Sequence, residues 1–352
     1  MRDAGAEPPV PTLQADHIRQ NRPLSCPTVP RPVDTAEYLA FLPPHWRERA
    51  LTVGEPQSTW WHWRDMRVHI LSLPRPQARA RLLVLHGAGG HSGALWPLAA
   101  LADAAGYEAF APDLPGYGLT EVPDPAGVTY PDWVDCVSDL LRAQSEADPR
   151  PLVVLGGSMG GLLGYSACAR VPSAVSHLVV TCLLDPSNPV CWPALSRWGG
   201  AASVRLLRPL MSGLTGGRGL ARLRVPMRWV APMHAIARDP ALSRLCAQDA
   251  RGGGGRVPLG FLASYLFSRP EVPPQEFREI PVMLIHPAQD RWTPPEMSLD
   301  FLRHIAAPAR HVPLEGCGHF PVEEPGLTRA VEVLREVLEA LVPQAGGEVR
   351  AG

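Results

Sequence analysis

An apolar run, Pro151-Leu152-Val153-Val154-Leu155, passes directly into Gly156-Gly157-Ser158-Met159-Gly160-Gly161, and a helix-compatible stretch from Leu162 to Arg170 follows at once. A strand that turns into a helix so tightly needs neighbours without side chains around the central residue, and the glycines supply them. Such a turn lifts the Ser158 hydroxyl clear of the strand ends, where a base can reach it. A bare G-x-S-x-G also arises by chance in a glycine-rich chain, so its weight rests on what accompanies it.

Around this turn the pattern alternates. Short apolar runs at Arg81 to Leu85, Tyr107 to Pro112, Leu152 to Leu155, His177 to Leu184, Val282 to His286 and Arg310 to Leu314 are separated by helix-length segments, among them Asp132 to Glu146 and Leu327 to Leu341. That order predicts an α/β fold, a mostly parallel sheet with helices on both faces. Trp60 to Trp63 and Val68 to Leu71 read as a hairpin turning at Arg64-Asp65. Thr35 to Leu42 reads as a short capped helix stopped by Pro43-Pro44.

The alternation breaks between Asp185 and about Glu279, where tryptophans, methionines and Pro-Gly clusters replace strand signals. This segment is expected to be an insertion of short helices over the strand ends, where ligands bind in open α/β sheets. The expected organisation is a Pro-rich arm over 1–34, core over 35–185, a helical cap over 186–274 and core again over 275–352. Gly252 to Gly255 reads as a surface linker, or as a hinge for the cap.

Composition narrows the function classes. The chain has 352 residues and no run near the ~18 apolar residues of a membrane span; its N-terminus lacks an apolar targeting core, so a soluble, cytoplasmic protein is expected. Its seven cysteines are scattered without metal-like spacing, which suits reduced thiols. Every basic residue is arginine, and twelve arginines against Asp239 and Asp249 fall between Pro186 and Pro270. Such a segment suits an anionic group or a membrane surface, or simply a solvated helical face. No nucleic-acid motif accompanies the arginines, and no nucleic-acid partner is expected.

Acyl transfer to a serine needs a base, a group that orients the base, and donors for the oxyanion. His319, in Gly316-Cys317-Gly318-His319-Phe320-Pro321 after the last strand, is the candidate base, preferred by position over His286, His304 and His311. Asp290, after the strand Val282 to Ile285, is the candidate acid; its alternative role is a helix N-cap, and Asp185 is the alternative acid. His86-Gly87-Ala88-Gly89-Gly90 follows a strand, and the backbone N–H groups of Ala88 and Met159 are the candidate oxyanion donors. No metal or organic cofactor is expected, because the histidines lack ligand spacing and these residues need none.

Taken in order, these segments, with Ala111-Pro112-Asp113-Leu114-Pro115-Gly116-Tyr117-Gly118 and Thr293-Pro294, resemble the α/β-hydrolase superfamily over roughly Thr59 to Val342. The resemblance implies an eight-stranded, mostly parallel sheet with a helical cap after the sixth strand. Within the superfamily the chain looks most like cap-bearing serine esterases and lysophospholipase or monoacylglycerol-lipase-like members. Epoxide hydrolases and haloalkane dehalogenases share the layout but carry aspartate where Ser158 stands. The elbow is also similar to those of homoserine acetyltransferases and carbon–carbon bond hydrolases, so acyl transfer and C–C cleavage stay open. A ligand-binding protein without catalysis is the reading from another class.

The expected partner is thus a small-molecule ester or acyl compound with an apolar acyl or aryl portion, to which the arginines offer an anionic contact. Trp192, Trp198, Trp229, Met211, Met227, Met233, Phe261, Tyr265 and Phe267 are expected to line its pocket or to pack cap on core. The sequence leaves the oligomeric state open.

Overall fold

The computed structural model describes residues 31–195, 201–215 and 218–342. Most of the Pro-rich arm, together with Cys26 and Trp198, lies outside them. Where description begins, Arg31 exchanges backbone hydrogen bonds with Gln248 and Ala250, and Val33 is buried.

Two short helices open the chain, α1 (Thr35–Leu39) and α2 (Pro44–Thr52). Asp34 caps α1, accepting from Ala36 N at 2.9 Å while Glu37 accepts from Asp34 N at 3.1 Å. α1 ends at Leu39, with Ala40 as its C-cap, short of the expected Leu42 and ahead of the prolines; Pro44 instead starts the second helix, because proline at the first helical position sacrifices no hydrogen bond.

β1 (Gln57–Trp63) and β2 (Met66–Leu73) form the expected hairpin, with Trp63 opposite Met66. Then follow β3 (Ala80–Leu85), α3 (Ser92–Ala105), β4 (Tyr107–Pro112), α4 (Tyr130–Ala147), β5 (Leu152–Gly156), α5 (Met159–Arg170) and β6 (His177–Val180). After the insertion come β9 (Val282–Pro287), α10 (Pro295–Leu302), β10 (Ala309–Leu314) and α11 (Gly326–Leu341), the labels β7 and β8 belonging to the insertion. The eight strands lie in the order β1-β2-β4-β3-β5-β6-β9-β10, antiparallel only where β2 meets β1 and β4. Side chains alternate between faces: Leu155 points toward α3 and α11, and Val154 toward α5. Every residue of β3 is buried, as a strand covered on both faces requires.

β6 ends before the apolar run that marks it. Thr181 gives its side-chain oxygen to Ser158 N, and Leu183 N donates to Ser298 Oγ at 2.9 Å, so the chain leaves the ladder for side-chain partners. Cys182 and Leu184 then join a small apolar cluster with Cys191, Ala194 and Met297.

The insertion carries α6 (Ala201–Met211), β7 (Arg224–Pro226), α7 (Met227–Val230), α8 (Pro240–Gln248), β8 (Arg256–Pro258) and α9 (Leu259–Leu266). It is not purely helical: β7 and β8 pair antiparallel, with Val225 opposite Val257. Three-residue strands closed by Pro226 and Pro258 are too short to show alternation, and only their long-range pairing reveals them. α9 seats on α4 through Phe261 against Trp133, ring centroids 4.6 Å apart, and Tyr265 against Tyr130 at 5.0 Å.

Gly252 to Gly255 is not a surface linker. Gly252, Gly253 and Gly254 are buried, and Gly252 lies so close to the carbonyl of Gly89 that a Cβ there would overlap it. The preceding Asp249 is fully buried and accepts from Tyr38 O–H at 2.8 Å, with His91 Nε2 at 2.6 Å. This carboxylate ties α1, the start of α3 and the insertion together. No described helix is long and apolar enough to cross a membrane.

Candidate active site

Ser158 sits between β5 and α5 with φ 54° and ψ −128°, a conformation that L-residues rarely adopt and that costs on the order of 1–3 kcal/mol. Its backbone is over-determined. Gly157 N donates to Leu85 O at 2.9 Å, Ser158 N to Thr181 Oγ1 at 3.1 Å, and a Cβ on Gly161 would overlap the carbonyl of Cys182.

The loop after β3 runs beside this turn. His86 is fully buried, and burial pushes its imidazole down to about 4, so it is neutral. Nδ1–H donates to Gly87 O at 2.8 Å while Nε2 accepts from Leu114 N at 2.9 Å, which fixes the loop to the segment after β4. Asp113 secures the same segment, accepting from Ser92 N at 2.7 Å and pairing with His69 Nδ1 at 2.8 Å. Ala88 is thereby held next to Ser158, and Met159 begins α5. Neither Ala88 N nor Met159 N has a protein acceptor among the described residues, and α5 points its positive end toward Ser158.

Asp290 and His319 come together from the loops after β9 and β10. His319 Nδ1 lies 2.7 Å from Asp290 Oδ2, and both residues are buried. Asp290 also accepts from Thr293 Oγ1 at 2.5 Å, Trp292 N at 2.8 Å and Thr293 N at 2.9 Å. Burial alone would raise its carboxyl, but the charge and hydrogen bond of His319, joined by those of Thr293, hold it at about 2. The N-cap alternative fails, since α10 starts at Pro295 behind Pro294. Asp185, the alternative acid, is bonded instead to Ser187 N and Ser187 Oγ at 2.8 and 2.7 Å. His286 is turned away, its Nδ1 on Pro287 O.

His319 Nε2 is buried without a partner among the described residues, and His319 lines the same cavity as Ser158. The insertion holds this loop in place: Phe320 N donates to Ile236 O at 2.6 Å and Arg238 Nη1 to Gly316 O at 2.6 Å. Trp292 lies over the imidazole, centroids 4.7 Å apart, and donates its indole N–H to Ala194 O. Sequence reading singled out none of Thr181, Trp292 and Arg238; Thr293 carried the only signal, as part of the segment after Asp290.

Two cavities meet at Ser158 and Ala88. The larger, about 280 Å³, runs under the insertion and is lined mainly by aliphatic residues such as Leu184, Leu207, Leu259 and Leu262. The smaller, about 70 Å³, lies on the side of His319. Of the expected lining residues, Trp229, Met211, Met227 and Tyr265 do face the larger cavity. Phe261 packs on Trp133, Met233 on the Gly253 turn, and Trp192 and Phe267 flank Arg208. No arginine lines either cavity among the described residues. Arg208 caps the carbonyls of Pro186 and Leu266 within the insertion, and Arg222 pairs with Asp124 ahead of α4, so these guanidinium groups hold the insertion together and to the core.

A model of the alpha/beta hydrolase family matches residues 82–331. The chain belongs to that family. Among relatives of this hydrolase is a pimeloyl-[acyl-carrier protein] methyl ester esterase of Shewanella woodyi, 34% identical over 113 residues, which are 32% of this chain and 38% of the relative. The match thus spans well under half of that esterase. A 2-hydroxy-6-oxo-2,4-heptadienoate hydrolase of Pseudomonas putida is 28% identical over 60% of this chain and 71% of its own. A solved monoglyceride lipase of Saccharomyces cerevisiae shares the fold, with TM-score 0.61 and 17% identity over 83% of this chain and 97% of that one.

Proposed function

We propose that this hydrolase cleaves small-molecule carboxylic esters through an acyl-enzyme on Ser158. The observation that carries the reading is the Asp290–His319 pair, whose unpartnered Nε2 shares a cavity with a serine held on a strained turn. Ser158 Oγ attacks the ester carbonyl carbon and its proton passes to His319 Nε2. Ala88 N–H and Met159 N–H take the oxyanion, a contribution of roughly 2.7–4 kcal/mol per donor in comparable sites. Collapse breaks the bond to the alkoxide, which takes the proton from Nε2 and leaves as alcohol. Water, deprotonated by the same nitrogen, then releases the acid. Asp290 stays ionised throughout and keeps Nδ1–H oriented.

The aliphatic lining of the larger cavity suits an apolar acyl or aryl group, and its size falls near the lower end of ligand pockets, about 300–1,000 Å³. The segment 186–274 acts in this reading as the cap over that group. Among the described residues the cavity walls carry no arginine, so the reading requires no anionic substrate group. The test is acid release from ethyl esters running from acetate to dodecanoate, compared between wild type and Ser158→Ala. Hydrolysis that peaks at intermediate chain length and vanishes in the variant is expected. Turnover only with an added acceptor alcohol would indicate a transferase, and cleavage confined to vinylogous 1,5-diketones a carbon–carbon hydrolase. Ligand binding with no covalent step would indicate a binder.

A further inference from the structure

We propose that the small cavity beside His319 receives the alcohol of the ester and restricts it to a short monohydric one, such as methanol or ethanol. The assignment rests on the ester-hydrolase reading above. In the tetrahedral intermediate the former carbonyl carbon carries Ser158 Oγ, the oxyanion, the acyl group and the alkoxide oxygen. When the carbon–alkoxide bond breaks, that oxygen takes the proton from His319 Nε2, so it must lie within hydrogen-bond reach of this nitrogen. Of the two cavities that meet at Ser158, the smaller is lined by His319, Phe320 and Pro321, and the larger by none of them. The alcohol therefore follows the imidazole into the smaller space, and the acyl group occupies the larger.

Size and polarity then set the alcohol. The space is about 70 Å³ against about 280 Å³ on the acyl side, with Leu95, Leu98, Ile236 and Trp292 among its walls. Apart from Ser158 and His319, which the reaction uses, few polar side chains face it: Thr181 Oγ1 accepts from Ser158 N, Tyr38 O–H donates to Asp249, and the Trp292 indole N–H donates to Ala194 O. The further hydroxyls of a polyol would be stripped of water in a space with few side-chain partners, which disfavours a glyceryl ester.

The experiment holds the acid constant as octanoate and varies the alcohol: methyl, ethyl, butyl, benzyl and 1-glyceryl esters, each referred to its own hydroxide rate. The readout is kcat/KM, which reports steps up to acylation and so the fit of the leaving group. Methyl and ethyl esters should exceed benzyl and glyceryl esters by about tenfold or more. Leu95→Ala should narrow the gap for the benzyl ester by raising its kcat/KM relative to the methyl ester. Equal kcat/KM across the series, or a preference for the glyceryl ester, would overturn the alcohol assignment while leaving ester hydrolysis standing. If folded protein cleaves none of the esters, the hydrolase reading fails and this assignment fails with it.

Discussion

On one side of Ser158 stand the loops after β3, β4, β9 and β10, in which Asp113, Asp290 and His86 each spend their polar atoms on named partners. On the other stands the insertion, whose contribution to the larger cavity is mostly aliphatic contact from α6, α7 and α9. The loops place atoms to within a hydrogen bond, whereas the insertion's cavity wall places a volume. Acyl chemistry needs the first kind of control, and selection of an apolar chain needs only the second. Substitutions in the loops should therefore change the rate for every ester, and substitutions of the insertion's cavity-lining residues should change the ranking among esters.

The largest expected difference sets Asp290 against Asp185. Asp290→Asn should lower kcat/KM by about 10²- to 10⁴-fold, because an amide no longer stabilises the imidazolium, while Asp185→Asn should stay within about threefold. The reverse ranking would move the acid to Asp185. The same substitution has a stability signature. A carboxyl held at about 2 against an ordinary 3.8 contributes stability that is present above the ordinary value and lost as pH falls through the folded one. Wild type should lose stability between about pH 4 and pH 2, and Asp290→Asn should flatten part of that slope in acid denaturation.

Gly252→Val should come next. It forces the insertion away from Gly89, at a cost on the order of 2–4 kcal/mol in thermal or urea denaturation, with loss of activity on all esters. A variant that kept wild-type stability and rate would break the account of this turn as a rigid dock. A smaller effect belongs to Leu262→Trp, which fills the larger cavity: dodecanoyl esters should lose about tenfold relative to acetyl esters, with the acetyl rate near wild type. Uniform loss across chain lengths would erase the division between the two walls. The smallest is Ser158→Gly, which should be more stable than Ser158→Ala by about 1 kcal/mol, because glycine accepts the positive φ without strain.

The same division explains what could be read in advance. β4 was legible because a run such as Tyr107 to Pro112 has one conformation compatible with burial on two faces, and the hairpin of β1 and β2 because two strand-forming runs flank a short turn at Arg64-Asp65. The pairing of Asp290 with His319 and the position of Ser158 on the elbow follow from short segments at strand ends, where the local backbone decides the outcome. β7, β8 and the burial of the Gly252 turn were not legible, since the pairing and the burial depend on residues distant in sequence. The pocket aromatics were misread in part for the same reason: Phe261 and Trp192 have the composition of a lining but find partners in Trp133 and Arg208. Thr181 was hidden inside a longer apolar run, and its hydroxyl matters only once Ser158 N is beside it.

The most direct test of the account is the intact mass of the protein after reaction with a fluorophosphonate, followed by peptide mapping. The account predicts one adduct per chain on Ser158, loss of ester hydrolysis in step with labelling, and no adduct in Ser158→Ala. Ester hydrolysis that survives full labelling, or an adduct on another residue, would contradict it.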